Sequence, residues 1–254
     1  MNRYDTVIFD LDGTLLNTLE DLADAVNFAL GAMGWPARSL EEVRQFVGNG
    51  VGNLMARAVP AGTTEEDEAK CLSLFRDCYA AHMMDKTAPY PGVIELLKAL
   101  RENGYKLAVV SNKFDAAVKG LVADYFPGLF HATAGESPAA PKKPDPAMVF
   151  QALRTLGENG AKAVYVGDSD VDLATARNAG LPCISVTWGF RDAGFLRAHG
   201  AAALADPRRA SGSGVTSEKR GGAHAGLRLV SFVLTRAVRS ASCWYRPSGY
   251  RSDR

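Results

Sequence analysis

The chain has 254 residues, of which 47% are hydrophobic and 22% charged, and its formal net charge is +1 at pH 7. These values fit one large globular domain, or a core with a smaller inserted domain, and its core is expected to bind no nucleic acid. No apolar run approaches the roughly 20 residues needed to span a bilayer, and no signal peptide is visible, so we expect a cytoplasmic protein. The four cysteines form no CxxC pair, which argues against a zinc or redox site.

A short apolar strand at residues 6–9 opens the chain, and residues 17–85 then carry helical patterns throughout. The capping-box pattern Thr18-x-x-Asp21 predicts the start of the first helix, and apolar residues follow it at helical spacing. A second helix opens at Ser39-x-x-Glu42. A glycine-rich turn at residues 47–53 interrupts that helix, and a long helix follows. This region contains no convincing strand.

After the helical region the chain alternates between helices and strands. The predicted strands are at 106–112, 130–134, 163–170 and 183–189, and the predicted helices are at 93–103, 114–125, 145–157 and 171–180. Such alternation predicts an α/β fold, in which a doubly wound parallel sheet is covered by helices on both faces. The helical region would then be an insertion after the first strand.

Polar side chains follow three of the predicted strands. Asp10 and Asp12 follow the first strand, Ser111 and Asn112 end the second, and Gly167 and Asp168 lie at the end of a later one. Ligands of parallel sheets bind at the carboxyl ends of the strands. We therefore expect these side chains to face one crevice.

Two lysines, Lys142 and Lys143, precede a predicted helix and add positive charge to this set. Carboxylates gathered at one sheet edge repel each other and need a cation, and a set of oxygen ligands suits Mg²⁺. An ammonium and a hydroxyl beside such a metal suit a phosphoryl group. Asp10 could then attack phosphorus, while Asp12 gives a proton to the leaving oxygen and later takes one from water.

Four segments, DLDGT, VVSNK, KKPDP and GDSDVD, occur in this order along the chain. Together they resemble the four motifs of the haloacid dehalogenase superfamily, and most closely those of its phosphoglycolate phosphatase-like branch. The four in order are far more specific than any one alone. The resemblance covers about residues 3–206. It implies a Rossmann-like core (1–16 and 86–206) with an inserted α-helical cap domain (17–85).

The resemblance also implies a reaction. It is Mg²⁺-dependent hydrolysis of a phosphomonoester through an aspartyl-phosphate, with a small phosphorylated metabolite, first 2-phosphoglycolate, as substrate. By position, Asp10 is the nucleophile and Asp12 the general acid and base. Asp10, Asp168 and the backbone carbonyl of Asp12 hold Mg²⁺. An acid at the position of Asp12 argues against a dehalogenase, because dehalogenases of this superfamily lack it.

Further roles follow from the same resemblance. Ser111 and Lys143 bind the phosphoryl group, and Asn112 belongs to the same binding segment. Lys143 is preferred to Lys142 because it directly precedes Pro-Asp-Pro. Asp172 orients Lys143 or a metal-bound water.

The glycine-rich segment FVGNGVGN resembles part of the cap in the same branch. The backbone N–H groups of Gly48, Asn49 and Gly50 could contact a distal carboxylate of the substrate, because glycines allow close approach to an anion. A plain turn is the alternative interpretation.

Two other functions share these motifs. One is a sugar phosphomutase of the β-phosphoglucomutase type, which returns the phosphoryl group to the sugar. The other is a non-catalytic phosphate-binding regulatory module, against which the intact acidic residues argue. The sequence leaves open the exact substrate and whether the chain forms homo-oligomers.

Residues 207–254 differ from the rest of the chain in charge, with ten Lys/Arg and only two acidic residues. The stretch 210–226 is linker-like, and 227–240 could form a basic amphipathic helix that lies on an anionic membrane or binds a partner. A shifted reading frame would also produce so abrupt a change and is the favoured explanation. A genuine targeting or binding tail is the alternative. Both explanations leave the four motifs intact.

Overall fold

The computed structural model describes residues 4–138 and 140–205. Its largest sheet contains six parallel strands: β1 (Thr6–Phe9), β4 (Lys106–Phe114), β5 (Ala132–Glu136), β6 (Ala163–Gly167), β7 (Cys183–Val186) and β8 (Ala203–Ala205). Their order across the sheet is β5-β4-β1-β6-β7-β8. The two shortest strands, β2 (Leu16–Asn17) and β3 (Ala88–Pro89), form a separate antiparallel pair.

Nine helices lie within the described part of the chain: α1 (Leu19–Ala32), α2 (Leu40–Phe46), α3 (Gly50–Ala58), α4 (Glu65–His82), α5 (Val93–Glu102), α6 (Asp115–Tyr125), α7 (Ala147–Leu156), α8 (Asp170–Asn178) and α9 (Ala193–Ala198). Alternate residues of β1 pack on opposite faces of the sheet. Val7 packs in a cluster with Leu97 of α5, whereas Ile8 packs in a second cluster with Val149 of α7. Helices therefore cover both faces, and the predicted doubly wound α/β fold is confirmed.

The four helices α1 to α4 pack around a hydrophobic cluster of their own, which includes Val26, Leu54 and Phe75. The chain leaves the sheet region through β2 and returns through β3, and these two strands pair at Leu16 with Pro89. This arrangement has the form of an inserted helical unit. The division of the chain into the core and cap domains stays a prediction.

The predicted start of α1 is confirmed, since the helix begins at Leu19, but the capping box itself does not form. Thr18 precedes the helix, but its side chain makes no capping hydrogen bond. Asp21 is buried, and its carboxylate instead accepts hydrogen bonds from the backbone N–H groups of Lys86 and Thr87, at 3.0 and 2.8 Å. Tertiary partners have therefore replaced the local ones, and they tie the first turn of α1 to the segment that returns to the sheet.

The capping box predicted at Ser39 and Glu42 is confirmed at the start of α2. The glycine-rich turn is shorter than predicted, because α3 already begins at Gly50. Only residues 47–49 remain as the connection between α2 and α3.

The basic tail, including the linker-like stretch 210–226 and the possible helix 227–240, lies outside the described residues. Within the described ranges, no helix combines the length and the apolar character that crossing a bilayer requires.

Candidate active site

The register of the sheet brings the polar strand ends together. Phe9, the last residue of β1, pairs with Val109 of β4 on one side and with Val166 of β6 on the other. The three strands are parallel, so the residues that follow these positions lie at the same edge. The cavity at this edge is lined by Asp10, Asp12, Ser111, Asn112, Lys143 and Asp168, among others.

Lys143 lies at the centre of the charged groups in this cavity. Its ammonium donates hydrogen bonds of 2.6 Å to Asp10 Oδ1, 2.8 Å to Asp172 Oδ1 and 3.3 Å to the hydroxyl of Tyr165. Lys143 is buried, whereas its neighbour Lys142 is exposed and donates to the Asn49 carbonyl at 3.4 Å. Of these two lysines, the structure thus places Lys143 in the cavity.

The buried carboxylates of the site repel one another when they are ionised. Burial, together with the charge of Asp172, raises the pKa of Asp10 well above its ordinary value, although Lys143 opposes the shift. Burial and the charge of Asp172 also raise the pKa of Asp168, to about 7. Burial alone would lower the pKa of Lys143, but the charges of Asp10 and Asp172 outweigh it and raise that pKa. A bound cation would offset the repulsion between the carboxylates.

Carboxylate oxygens of Asp10, Asp168 and Asp172 lie within 4.8 Å of one another. All three residues are buried, and hard oxygen donors at this spacing suit Mg²⁺. The position of Asp168 is fixed on both sides, since Oδ2 accepts a 2.6 Å hydrogen bond from the backbone N–H of Phe190 and Oδ1 accepts one of 3.4 Å from the Thr14 hydroxyl. The carboxylates of Asp10 and Asp168 therefore fit the predicted metal.

Asp172 already uses both of its oxygens within the protein. Oδ1 accepts from Lys143 and Tyr165, and Oδ2 accepts from the backbone N–H groups of Asp168 and Ser169 and from the Ser169 hydroxyl. A carboxylate with five such donors has little capacity left for a metal. This geometry supports its predicted role of orienting Lys143.

The side chain of Asn112 holds the Lys143 peptide. Its amide oxygen accepts from the backbone N–H of Lys143 at 2.6 Å, and its amide nitrogen donates to the Lys143 carbonyl at 3.0 Å. Asn112 therefore lines the cavity and also holds the Lys143 backbone in place.

The predicted glycine-rich segment is only partly in this cavity. Gly48 and Gly50 line it, whereas Asn49 borders a neighbouring groove that also contains Arg44 and Arg191. The start of α3 is close to the strand ends, since a Cβ added at Gly50 would lie 3.8 Å from the Asn112 carbonyl oxygen.

Sequence reasoning assigned no role to Lys113, which also lines the cavity. Its ammonium forms an ion pair of 3.0 Å with Asp12 Oδ1 and donates a hydrogen bond of 2.7 Å to the Tyr79 hydroxyl. The prediction ended β4 at Asn112, but the strand continues to Phe114. Side chains alternate between the two faces of a strand. A predicted strand that extended to Phe114 would therefore have placed Lys113 on the same face as Ser111.

The turn after β1 leaves no room for a side chain at Gly13. Its φ is +85°, and an added Cβ would lie 2.4 Å from Asp168 Oδ2. Gly62 has the same φ of +85° but no described heavy atom within 4 Å of an added Cβ, so it is a matched control for backbone strain.

We expect Gly62→Ala to reduce the free energy of unfolding by about 1–2 kcal/mol, the cost of a left-handed alanine. Gly13→Ala should cost about 1–3 kcal/mol more, because Asp168 must also move. Urea unfolding of both variants measures the difference. Equal losses would contradict the close contact at Gly13.

Comparison with known proteins now identifies the family. The family model for haloacid dehalogenase-like hydrolases matches residues 7–186. A phosphoglycolate phosphatase from Mesorhizobium japonicum is 38% identical over 192 residues, which cover 73% of this chain and 84% of the relative. The prediction of an enzyme similar to phosphoglycolate phosphatases is thereby confirmed.

Solved structures agree with this assignment. A protein from Lactobacillus delbrueckii subsp. bulgaricus, 38% identical, superposes with a TM-score of 0.78 over 81% of this chain and 95% of its own. A predicted phosphoglycolate phosphatase from Haemophilus somnus, 30% identical, gives a TM-score of 0.74 over 80% and 94%. The chain therefore belongs to the haloacid dehalogenase-like hydrolase family.

Proposed function

We propose that this chain is a Mg²⁺-dependent phosphomonoester hydrolase of the cytoplasm and that 2-phosphoglycolate is its substrate. The observation that carries the proposal is the position of Asp10. Its carboxylate is buried at the edge of the sheet, with the Lys143 ammonium 2.6 Å away, and it shares one cavity with Asp12 and Asp168. The name of the Mesorhizobium relative supports the choice of substrate.

The residues of the cavity can divide the reaction into two balanced steps. In the first, an oxygen of Asp10 bonds to phosphorus while the bond from phosphorus to the leaving oxygen breaks, and Asp12 gives that oxygen a proton. In the second, Asp12 takes a proton from a water molecule as the water oxygen bonds to phosphorus. The Asp10–phosphorus bond breaks, inorganic phosphate leaves, and both carboxyl groups return to their starting states.

The remaining groups bind and orient the phosphoryl group. Lys143 and Ser111 provide an ammonium and a hydroxyl for its oxygens. Asp10, Asp168 and the backbone carbonyl of Asp12 would hold Mg²⁺. When bound, this ion supplies positive charge that offsets both the repulsion between carboxylates and the charge of the phosphoryl oxygens.

Turnover of a panel of small phosphomonoesters, with and without Mg²⁺, tests the proposal. We expect release of inorganic phosphate, with 2-phosphoglycolate among the best substrates and with no bisphosphate activator required. A requirement for a bisphosphate would favour the phosphomutase instead. Binding of phosphate without turnover of any ester would favour the regulatory module.

Removal of the metal is expected to abolish turnover, because the carboxylates then lack the charge that offsets their repulsion. Excess EDTA should stop phosphate release, and added Mg²⁺ should restore it. Mg²⁺ should also raise the melting temperature of the protein, since a ligand that binds only the folded state stabilises it.

The metal site has a matched control two residues further along the chain, at the first residue of α8. Asp168→Asn should lose the thermal shift with Mg²⁺. Asp170→Asn, which changes a partly exposed acid whose nearest charged partner is Arg191 at 3.9 Å, should retain it. A full thermal shift in Asp168→Asn would show that the ion binds elsewhere.

A further inference from the structure

Lys113 links three separate segments of the chain. It lies on β4, its ammonium contacts Asp12 in the loop after β1, and it reaches Tyr79 on α4 of the helical insertion. The same ammonium lies 4.6 Å from the centroid of the Tyr79 ring. The Tyr79 ring stacks in turn on Phe75, with centroids 5.5 Å apart, inside the hydrophobic cluster of the insertion.

The charge of Lys113 is buried, so its partners must compensate for lost water. Only 4% of its side chain is exposed, compared with 17% for its partner Asp12. Burial by itself would lower the pKa of Lys113, but Asp12 and Tyr79 outweigh burial and raise it. The ammonium therefore stays charged and holds a fixed position between the two groups.

The contact with Lys113 gives the Asp12 carboxylate a defined orientation. Lys113 engages Oδ1 at 3.0 Å, while Oδ2 lies 3.5 Å from the Ser111 hydroxyl, on the side of the strand end. One oxygen is thus anchored and the other is left beside the group predicted to bind the phosphoryl oxygens. A carboxylate anchored in this way is suited to transfer a proton to a leaving oxygen bound beside Ser111.

We propose that Lys113 is a positioning residue, which aligns Asp12 for proton transfer and is itself held by the Tyr79 hydroxyl of the helical insertion. The inference rests on the proposed hydrolase function and deepens it. It makes α4 a part of the proton-transfer machinery, because Tyr79 acts on Asp12 through Lys113.

Two substrates with different leaving groups test this role. The alkoxide that leaves 2-phosphoglycolate needs a proton, whereas p-nitrophenolate is a stable anion that leaves without one. In Lys113→Met, kcat/KM for 2-phosphoglycolate, which reports only the step in which the leaving group departs, should therefore fall at least tenfold more than kcat/KM for p-nitrophenyl phosphate. Lys106→Met is the control, since Lys106 lies on the same strand but pairs with Glu158 at 2.6 Å, away from the cavity. It should change neither value.

A double variant shows whether Lys113 acts through Asp12. Once Asp12→Asn has removed the proton donor, adding Lys113→Met should lower kcat/KM for either substrate by less than threefold. The effects of two substitutions that act through one shared group are not additive.

Tyr79→Phe keeps the ring and the packing of α4 but removes the hydroxyl, so it tests the contact between Tyr79 and Lys113 even if Lys113→Met does not fold. It should show the same leaving-group dependence with a smaller loss.

Several outcomes would overturn the inference. Equal losses of kcat/KM on both substrates, or a full loss of kcat/KM on top of Asp12→Asn, would show that Lys113 binds substrate directly or serves only stability. No leaving-group dependence in Tyr79→Phe would remove α4 from the mechanism. If the unaltered protein hydrolyses neither ester with Mg²⁺, the proposed function itself fails, and this result is distinct from the others.

Discussion

Replacing Asp10 with asparagine is expected to lower kcat for phosphate release by at least about 10⁴-fold, the scale on which loss of a nucleophile acts. The amide has nearly the shape of the carboxylate but cannot attack phosphorus. The fold should survive, since asparagine can still accept a hydrogen bond from Lys143. Initial rates with Mg²⁺ measure the change, and circular dichroism checks the fold.

The role of Asp10 as the attacking group can also be observed directly. Unaltered protein quenched in acid during turnover of a ³²P-labelled ester should carry label, whereas Asp10→Asn should carry none. Asp5→Asn is the control. Asp5 lies just before β1, the strand that Asp10 follows, and it is partly exposed and pairs with Lys162 at 3.7 Å. It should retain both activity and label. Label on Asp10→Asn, or a rate within tenfold of the unaltered protein, would contradict the proposed nucleophile.

The sequence was sufficient to predict the sheet and the meeting of its polar ends. Each central strand is a run of apolar residues that ends in a polar one, and this pattern is local. Parallel pairing then requires Asp10, Ser111 and Asp168 to lie at one edge, because they follow β1, sit within β4 and follow β6 at matching levels. Neither step needs knowledge of distant side chains.

Local patterns failed where distant groups compete for the same atoms. Thr18 and Asp21 match the spacing of a capping box, but the backbone of Lys86 and Thr87 is the partner of Asp21. Its partners are 65 and 66 residues away in the chain, so no window along the sequence contains both. Propensity is a weak guide at such positions because tertiary contacts override it.

The contacts between the helical insertion and the sheet were hidden for the same reason. The guanidinium of Arg191, in the loop after β7, donates to the carbonyls of Arg44 and Val47 at the end of α2, at 2.8 and 2.6 Å. Arg44 in turn donates to the Phe190 carbonyl at 2.8 Å. Carbonyl groups exist at every residue, so the sequence alone does not indicate which ones an arginine will meet.

Replacing Lys143 with methionine is expected to reduce both stability and activity. Without the ammonium, the buried carboxylates of Asp10 and Asp172 face each other uncompensated, and breaking a buried ion pair in this way costs about 3–5 kcal/mol. Phosphate release should fall by about 10²–10³-fold, the scale for losing one preorganised donor to a reacting oxygen. Urea unfolding at neutral pH and initial rates with Mg²⁺ measure the two effects.

Lys142→Met provides the matched control, since it makes the same change one residue earlier at an exposed side chain. Its free energy of unfolding should stay within about 0.5 kcal/mol of the unaltered protein.

The loss of unfolding free energy in Lys143→Met should shrink as the pH is lowered from neutrality. Burial and Asp172 raise the pKa of Asp10 in the folded state, and Lys143 opposes this rise. Without Lys143 that pKa is higher still, so the folded variant binds the proton more readily and gains more stability than the unaltered protein as the pH falls. A loss that is the same in both lysine variants, or that grows at low pH, would mean that Lys143 does not compensate these carboxylates.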